Sequence, residues 1–328
     1  MDKMEFGVIG LGRMGGNLSR QALEKGMRVV GYTLGRVDDD LIKMGLTEAK
    51  SLDKLKENLS SPRAVFLYIP SGPSVDKIIE DLAAALERGD IIVDGGNSYW
   101  GDSIRRAKAL KEKGIYFVDL GTSGGTEGAR NGACFMAGGE DKAVSEIEPL
   151  LLKLATKGGY VHAGPSGTGH FTKLVHNGIE FGMLQAIGEG IDLLKNYHQE
   201  LDIPAVLKCW ENGSVIRSWL IELMGKQYRE EGGLGKVPSY IEDTGEVNWL
   251  VSDAIQMETP IPVISLAVMQ LFASRDKDKN WARAIAMMRH GFGGHVFGPD
   301  EPTVHERIYG RVGEIYRPKK DKEGNKGE

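Results

Sequence analysis

The sequence predicts an α/β fold in which a doubly wound parallel sheet is followed by an all-helical C-terminal domain. Three observations carry this. Through the first half, short β-rich runs alternate with helix-length amphipathic segments, the pattern of a parallel sheet covered by helices on both faces. A glycine-rich turn joins the first strand to the first helix. Beyond about residue 165 the strand-like runs stop, and apolar residues recur at helical spacing instead.

The strands are read from "EFGVI", "MRVVGY", "AVFLYI", "DIIVDG", "IYFVDL", "ACFMAGG" and finally "YVHAG" at 160–164. Segments 16–25, 73–88 and 101–113 have helical length and periodicity between them. After the loop "PSGTG" a proline-free helix runs from Gly169 to about Lys195, and further helical stretches fall near 204–230, 245–257, 261–275 and 278–290. The chain therefore divides into a sheet domain at 1–165, a helical domain at 166–316 and a charged, flexible tail at 317–328, "RPKKDKEGNKGE".

Composition narrows the function. Hydrophobic residues make up 41% and charged residues 27% of 328, with a net charge of −5. That balance suits a globular, cytoplasmic protein and argues against a nucleic-acid surface, which carries a basic excess. No apolar run approaches the length of a membrane span. Cys134 and Cys209 are too few for a disulfide framework or a metal cluster, and both are expected as small core residues.

"GVIGLGRMGGNL" carries G-x-G-x-x-G at Gly10, Gly12 and Gly15, between a strand and a helix. The first glycine permits the tight turn, the second lets the backbone approach a pyrophosphate, and the third lets helix and strand pack. A Rossmann-like domain that holds a dinucleotide against Gly10, Leu11, Gly12, Arg13, Met14 and Gly15 follows. An acid that would bind a ribose 2′-OH is missing from the end of the second strand, "VVGYTLGR", where Thr33 stands and Arg36 follows. This leans towards NADP over NAD, although Asp38 to Asp40 lie close enough to blur the local charge.

Ligands of such sheets lie beyond the carboxyl ends of the strands. Three ends here are rich in glycine and small polar residues: "YIPSGPS", with Pro70; "DGGNS", with Asn97; and "DLGTSGGTEGA", with Ser123, Gly124 and Gly125. Asn97 and Ser123 could donate hydrogen bonds there. In "HFTKLVHNGIEF" the residues Lys173, His176, Asn177 and Glu180 follow i, i+3, i+4, i+7 and share one helical face. Lys and Glu are rarely buried unless paired, so the stripe is either a buried ion pair or an acid–base pair. "RHGFGGH" places Arg289 and His295 about three glycines; read alone it could be a weak metal site, but a third ligand is lacking.

Taken in order, these motifs closely resemble 6-phosphogluconate dehydrogenases, decarboxylating members of the β-hydroxyacid dehydrogenase family, from residue 6 to about 297. The resemblance is to the short form, with a reduced helical domain. It implies that Lys173 is the base that takes the C3 hydroxyl proton and that Glu180 protonates the enediol left by decarboxylation. Asn97, Ser123, Gly124, Gly125, His176 and Asn177 match substrate-contacting positions. Arg289 and His295 match residues that bind substrate phosphate in a neighbouring subunit, which implies a homodimer or homotetramer with shared active sites. Arg275 could fill a phosphate-binding position. Two residues depart from the pattern: Phe181 stands where a tyrosine is usual, and Asn248 where a basic residue precedes Trp249. Two readings compete: another β-hydroxyacid dehydrogenase, such as one for 3-hydroxyisobutyrate, and a non-catalytic dinucleotide sensor with no use for Lys173 and Glu180.

Overall fold

The structure, a computed structural model, describes residues 4–309; the tail at 317–328 lies outside them. The sheet has eight strands: β1 (Glu5–Ile9), β2 (Arg28–Tyr32), β3 (Thr47–Glu48), β4 (Ala64–Leu67), β5 (Ile91–Asp94), β6 (Tyr116–Ser123), β7 (Ala133–Gly139) and β8 (Ala155–Gly164). Their order is β3-β2-β1-β4-β5-β6-β7-β8. The direction of winding reverses between β1 and β4, so the glycine turn after β1 opens at the switch point, where such sheets hold ligands.

Alternation along the strands explains why both faces are covered. Phe6, Val8, Phe66, Val93, Val118 and Leu120 point to one face and join α1 (Arg13–Glu24) and α7 (Asp141–Leu154) in one core. Ile9, Val65, Leu67, Ile92 and Phe117 point to the other, against α3 (Leu52–Glu57), α4 (Pro73–Ala85) and α5 (Trp100–Lys113). Phe6 meets Phe66 edge to face at 5.2 Å. Each of these fully buried side chains contributes roughly 1.5–3 kcal/mol relative to exposure.

The sheet is not wholly parallel. β6 and β7 run antiparallel, with Ser123 opposite Cys134. Only α6 (Gly125–Asn131) and its flanking glycines join them, whereas a parallel crossover needs about a dozen residues or more. Cys134 and Cys209 are exposed rather than in the core. Cys134 sits on β7 between buried Ala133 and buried Phe135, so its side chain takes the opposite face. Cys209 lies two positions beyond buried Leu207, on the far side of α9 (Ile203–Glu211).

Three short or unmarked helices, α2 (Asp39–Lys43), α3 and α6, and the two-residue β3 carry little periodicity that could have announced them. The helical stretch expected at 204–230 is two helices, α9 and α10 (Trp219–Glu230). Gly213 takes a left-handed conformation (φ 82°) after α9, and the Ser218 side chain caps α10 by accepting from Ile221 N.

α8 (Thr168–Asn196) is the long proline-free helix, and α11 (Glu246–Gln256), α12 (Pro262–Arg275), α13 (Asn280–Gly293) and α14 (Glu301–Tyr309) follow. Two compact units result. One comprises the residues up to Gly178 together with Gly245–Asp253, and the other Ile179–Thr244 with the residues from Ala254 on.

Candidate active site

Parallel pairing places Ile9 beside Leu67, Leu67 beside Asp94, and Asp94 beside Asp119. The carboxyl ends of β1, β4 and β5 therefore lie in one row, and β6 runs four residues further to Ser123. The predicted cofactor and substrate loops grow from this row.

The glycine turn is built as a phosphate cradle requires. Gly10 is left-handed (φ 92°), and a Cβ there would lie 2.3 Å from the Tyr68 carbonyl. A Cβ on Gly15 would meet Gly10 O at 2.1 Å, which forces α1 and β1 close together. A Cβ on Gly12 would meet nothing within 4 Å, and Gly12 caps α1 with no side-chain hydrogen bond. The open ground at Gly12 and a helix N-terminus without a capping side chain fit a dinucleotide pyrophosphate. Pro70 lies on the next strand end, where its carbonyl accepts from Ser74 Oγ at 2.9 Å.

At the end of β2, Arg36 donates to both carboxylate oxygens of Asp39 at 2.7 and 2.8 Å, and its side chain is 82% exposed. Asp38 caps α2 and pairs with Arg20. Two of the acids that blurred the charge of this loop in the sequence, Asp38 and Asp39, are thus engaged, the second with Arg36 itself.

Asn97 follows Asp94, whose carboxylate accepts from Gly96 N at 3.1 Å and Ser98 Oγ at 2.8 Å and so holds the loop. Ser123 ends β6, and Gly124 (φ 107°) and Gly125 (φ 59°) need the left-handed conformation to turn into α6. On α8, Lys173 Nζ donates to Asn177 Oδ1 at 2.7 Å and lies 3.4 Å from His176 Nδ1. The other nitrogen of His176 is 3.0 Å from Ser123 Oγ. Ser123, His176, Asn177 and Lys173 therefore form one hydrogen-bonded group. Glu180 follows Lys173 by seven residues on the same helix, about two turns.

Besides Glu180, three predicted residues belong to the second unit. Arg275 ends α12 and donates to Asp243 Oδ2 at 2.7 Å and to Ile241 O at 3.1 Å. Arg289 lies on α13, and His295 follows the left-handed Gly294 (φ 64°). The turn folds back, so that His290 Nδ1–H donates to His295 O at 2.8 Å and the His290 ring stacks on Phe297.

The sequence reading missed the residues that seat α8. Buried Asp119 accepts from Gly167 N at 2.6 Å and His170 N at 2.8 Å. Burial pushes its carboxyl above the ordinary range, against the opposing pull of His170 and these N–H groups. His170 bridges Ser103 Oγ (2.7 Å) and Asp94 O (3.1 Å). The available signals were an aspartate at the end of each of two apolar strands and a histidine one turn before Lys173.

Among the described residues no group of His, Cys, Asp and Glu could hold a metal ion, and no helix is long and apolar enough to cross a membrane.

Comparison with known proteins places the chain among related sequences and folds. A family model described as the NAD binding domain of 6-phosphogluconate dehydrogenase matches residues 5–164, and one for the C-terminal domain of the same enzyme matches 169–302. The NAD(+)-dependent, decarboxylating 6-phosphogluconate dehydrogenase of Haloferax volcanii is 39% identical over 295 residues, 89% of this chain and 98% of that one. YqeC of Bacillus subtilis is 40% identical over 294 residues, covering 89% and 99%. Among solved structures, Plasmodium falciparum 6-phosphogluconate dehydrogenase, known with NADP+ and with 6-phosphogluconate, superposes with a TM-score of 0.77 at 30% identity, over 90% of this chain and 66% of that one. A Salmonella typhimurium 3-hydroxyisobutyrate dehydrogenase shares the fold, with a TM-score of 0.69 at 20% identity, over 84% and 95%.

Proposed function

The chain belongs to the 6-phosphogluconate dehydrogenase family, and from that premise we propose that it converts 6-phospho-D-gluconate to D-ribulose 5-phosphate and carbon dioxide, with reduction of NAD or NADP. The observation that carries this is the group of Ser123, His176, Asn177 and Lys173, joined by contacts of 2.7 to 3.4 Å. Its Ser123 ends β6, in the same sheet whose β1 end opens into the glycine cradle, and its other three residues lie on α8.

Residues 10–15 and Pro70 would hold the dinucleotide, and Thr33 and Arg36 its adenosine ribose, with a lean to NADP because no acid stands at Thr33. The bound nicotinamide supplies the hydride acceptor. Lys173, as the neutral amine, takes the proton of the C3 hydroxyl as the C3–H bond breaks. One of its N–H bonds is held by Asn177 Oδ1. Ser123 and His176 would hold the neighbouring hydroxyls, and Asn97, Gly124 and Gly125 the carboxylate end. The 3-keto acid then breaks its C1–C2 bond and releases carbon dioxide. Lys173 returns its proton to the keto oxygen as that bond breaks, and takes it back as Glu180 protonates the enediol carbon that becomes C1 of the product.

Residues 1–165 serve the cofactor in this reading, and 166–316 complete the substrate site. The protein acts in the cytoplasm as a homodimer or homotetramer. Arg289 and His295 reach the substrate phosphate of a neighbour, and Arg275 serves phosphate only by sharing itself with Asp243. Supporting association, α13 leaves Trp281, Ile285, Met288 and Phe292 exposed at helical spacing.

The test is a parallel assay of 6-phosphogluconate and 3-hydroxyisobutyrate with each dinucleotide. Turnover of the phosphorylated acid with release of carbon dioxide is expected. Turnover of 3-hydroxyisobutyrate alone would overturn the reading.

A further inference from the structure

Beyond the residues assigned above, we propose that Glu246 is a positioning residue, which fixes the side-chain amide of Asn177 so that its carbonyl faces Lys173. This rests on Lys173 being the base, as in the function proposed above.

Most of α11 is a segment of late sequence that belongs to the first unit. Asp253 is buried, and its carboxylate accepts from Tyr99 Oη at 3.1 Å and Trp100 Nε1 at 2.8 Å. Trp249 meets Tyr99 edge-on at 5.7 Å, and Val247 and Leu250 are buried. These contacts anchor the helix on the residues just after Asn97. Glu246 is its first residue, and its Oε1 accepts from Asn177 Nδ2 at 3.3 Å.

Asn177 is buried, and its amide is held at both ends: Oδ1 accepts from Lys173 Nζ, and Nδ2 donates to Glu246. An amide turned by half a rotation would point its NH2 at the lysine amine, either against the amine's own N–H bonds or onto the lone pair that it needs as a base. A carboxylate accepts and does not donate, so Glu246 selects the orientation that serves Lys173. The chain Glu246–Asn177–Lys173 then holds one N–H of the amine and so fixes the direction of the lysine side chain.

The experiment compares Glu246→Met, which keeps the length without a comparable acceptor, with Glu246→Gln, whose carbonyl can still accept. With 6-phosphogluconate, kcat should fall about tenfold in Glu246→Met, the size of one lost hydrogen bond. Cofactor Kd and the thermal unfolding midpoint should stay unchanged, and Glu246→Gln should recover most of the rate. Because Glu246 acts through Asn177, adding Glu246→Met to Asn177→Ala should cost nothing more. Additive losses, or an unaltered kcat in Glu246→Met, overturn the proposal. So does failure of both Glu246→Met and Glu246→Ala to fold, which would make the residue structural. If the unaltered protein does not oxidise 6-phosphogluconate, the proposed function fails separately. Positioning is then read from hydrogen exchange of the Asn177 side-chain amide, which should speed up at least about tenfold in Glu246→Met. No change in exchange overturns positioning whatever the substrate.

Discussion

Lys173 owes its place to its stem as much as to its amine. A Cβ on Gly121 of β6 would lie 2.6 Å from Lys173 Cβ, so the strand gives up a side chain to let the lysine pass. Lys173→Met keeps that stem and removes the amine. The variant should fold and bind cofactor, while turnover falls roughly 10²–10⁴-fold, the usual contribution of a general base. Near-normal turnover in the folded variant would return the stripe to a structural role. Arg36 can be tested the same way. Its partner Asp39 is exposed, and a pair in that setting is weak, so a 2′-phosphate could compete for the guanidinium. Arg36→Ala should weaken NADP about tenfold, the loss of one charge-assisted hydrogen bond, and leave NAD almost unchanged. Equal small effects on both dinucleotides in a binding titration would show that this loop does not select between them.

At the scale of elements, α8 is driven onto the sheet more tightly than side chains allow. A Cβ on Gly169 would lie 2.3 Å from Asp119 O and 2.5 Å from Met136 O, and one on Gly138 would lie 2.5 Å from Gly169 N. Backbone meets backbone, and Asp119 caps the junction. Gly169→Ala should therefore lever the helix outward, cost about 1–3 kcal/mol by overpacking, and lower the unfolding midpoint by several degrees. It should also lower kcat, since Lys173 stands about one turn along; a variant as stable and active as the unaltered protein would show that the helix start can yield. None of this close packing could be read from the sequence, although its ingredients could. The alternating strands, the glycine turn and the polar stripe were legible because they are local patterns with periods of two, 3.6 or a fixed spacing. The reversal at β7, the outward Cys134, the cap from Asp119 and the bond from Glu246 to Asn177 depend on which distant strands and helices become neighbours. Local periodicity carries no record of that.

At the scale of the whole molecule, the proposed sharing of sites turns on Arg289 and His295. The glycines of "RHGFGGH" let the chain turn sharply after α13, and His295 folds back until its carbonyl receives His290. Arg289 stands exposed on the helix just before that turn. On the same helix Trp281 and Phe292 are 63% and 77% exposed, an apolar stripe that association with a second copy would cover. In a two-fold dimer any loan of residues is reciprocal, so both sites would borrow the same arginine and histidine. A subunit carrying Lys173→Met lacks the base but can lend Arg289, whereas one carrying Arg289→Ala keeps the base and lends nothing. Neither homodimer should turn over well. Mixed in equal amounts and allowed to exchange subunits, the two should form heterodimers with one complete site, and activity should return to about one site in four. Exchange is verified by mass, using one subunit with an affinity tag. If heterodimers form and activity stays at the level of the separate variants, Arg289 serves its own subunit or no site at all, and the shared-site arrangement is wrong.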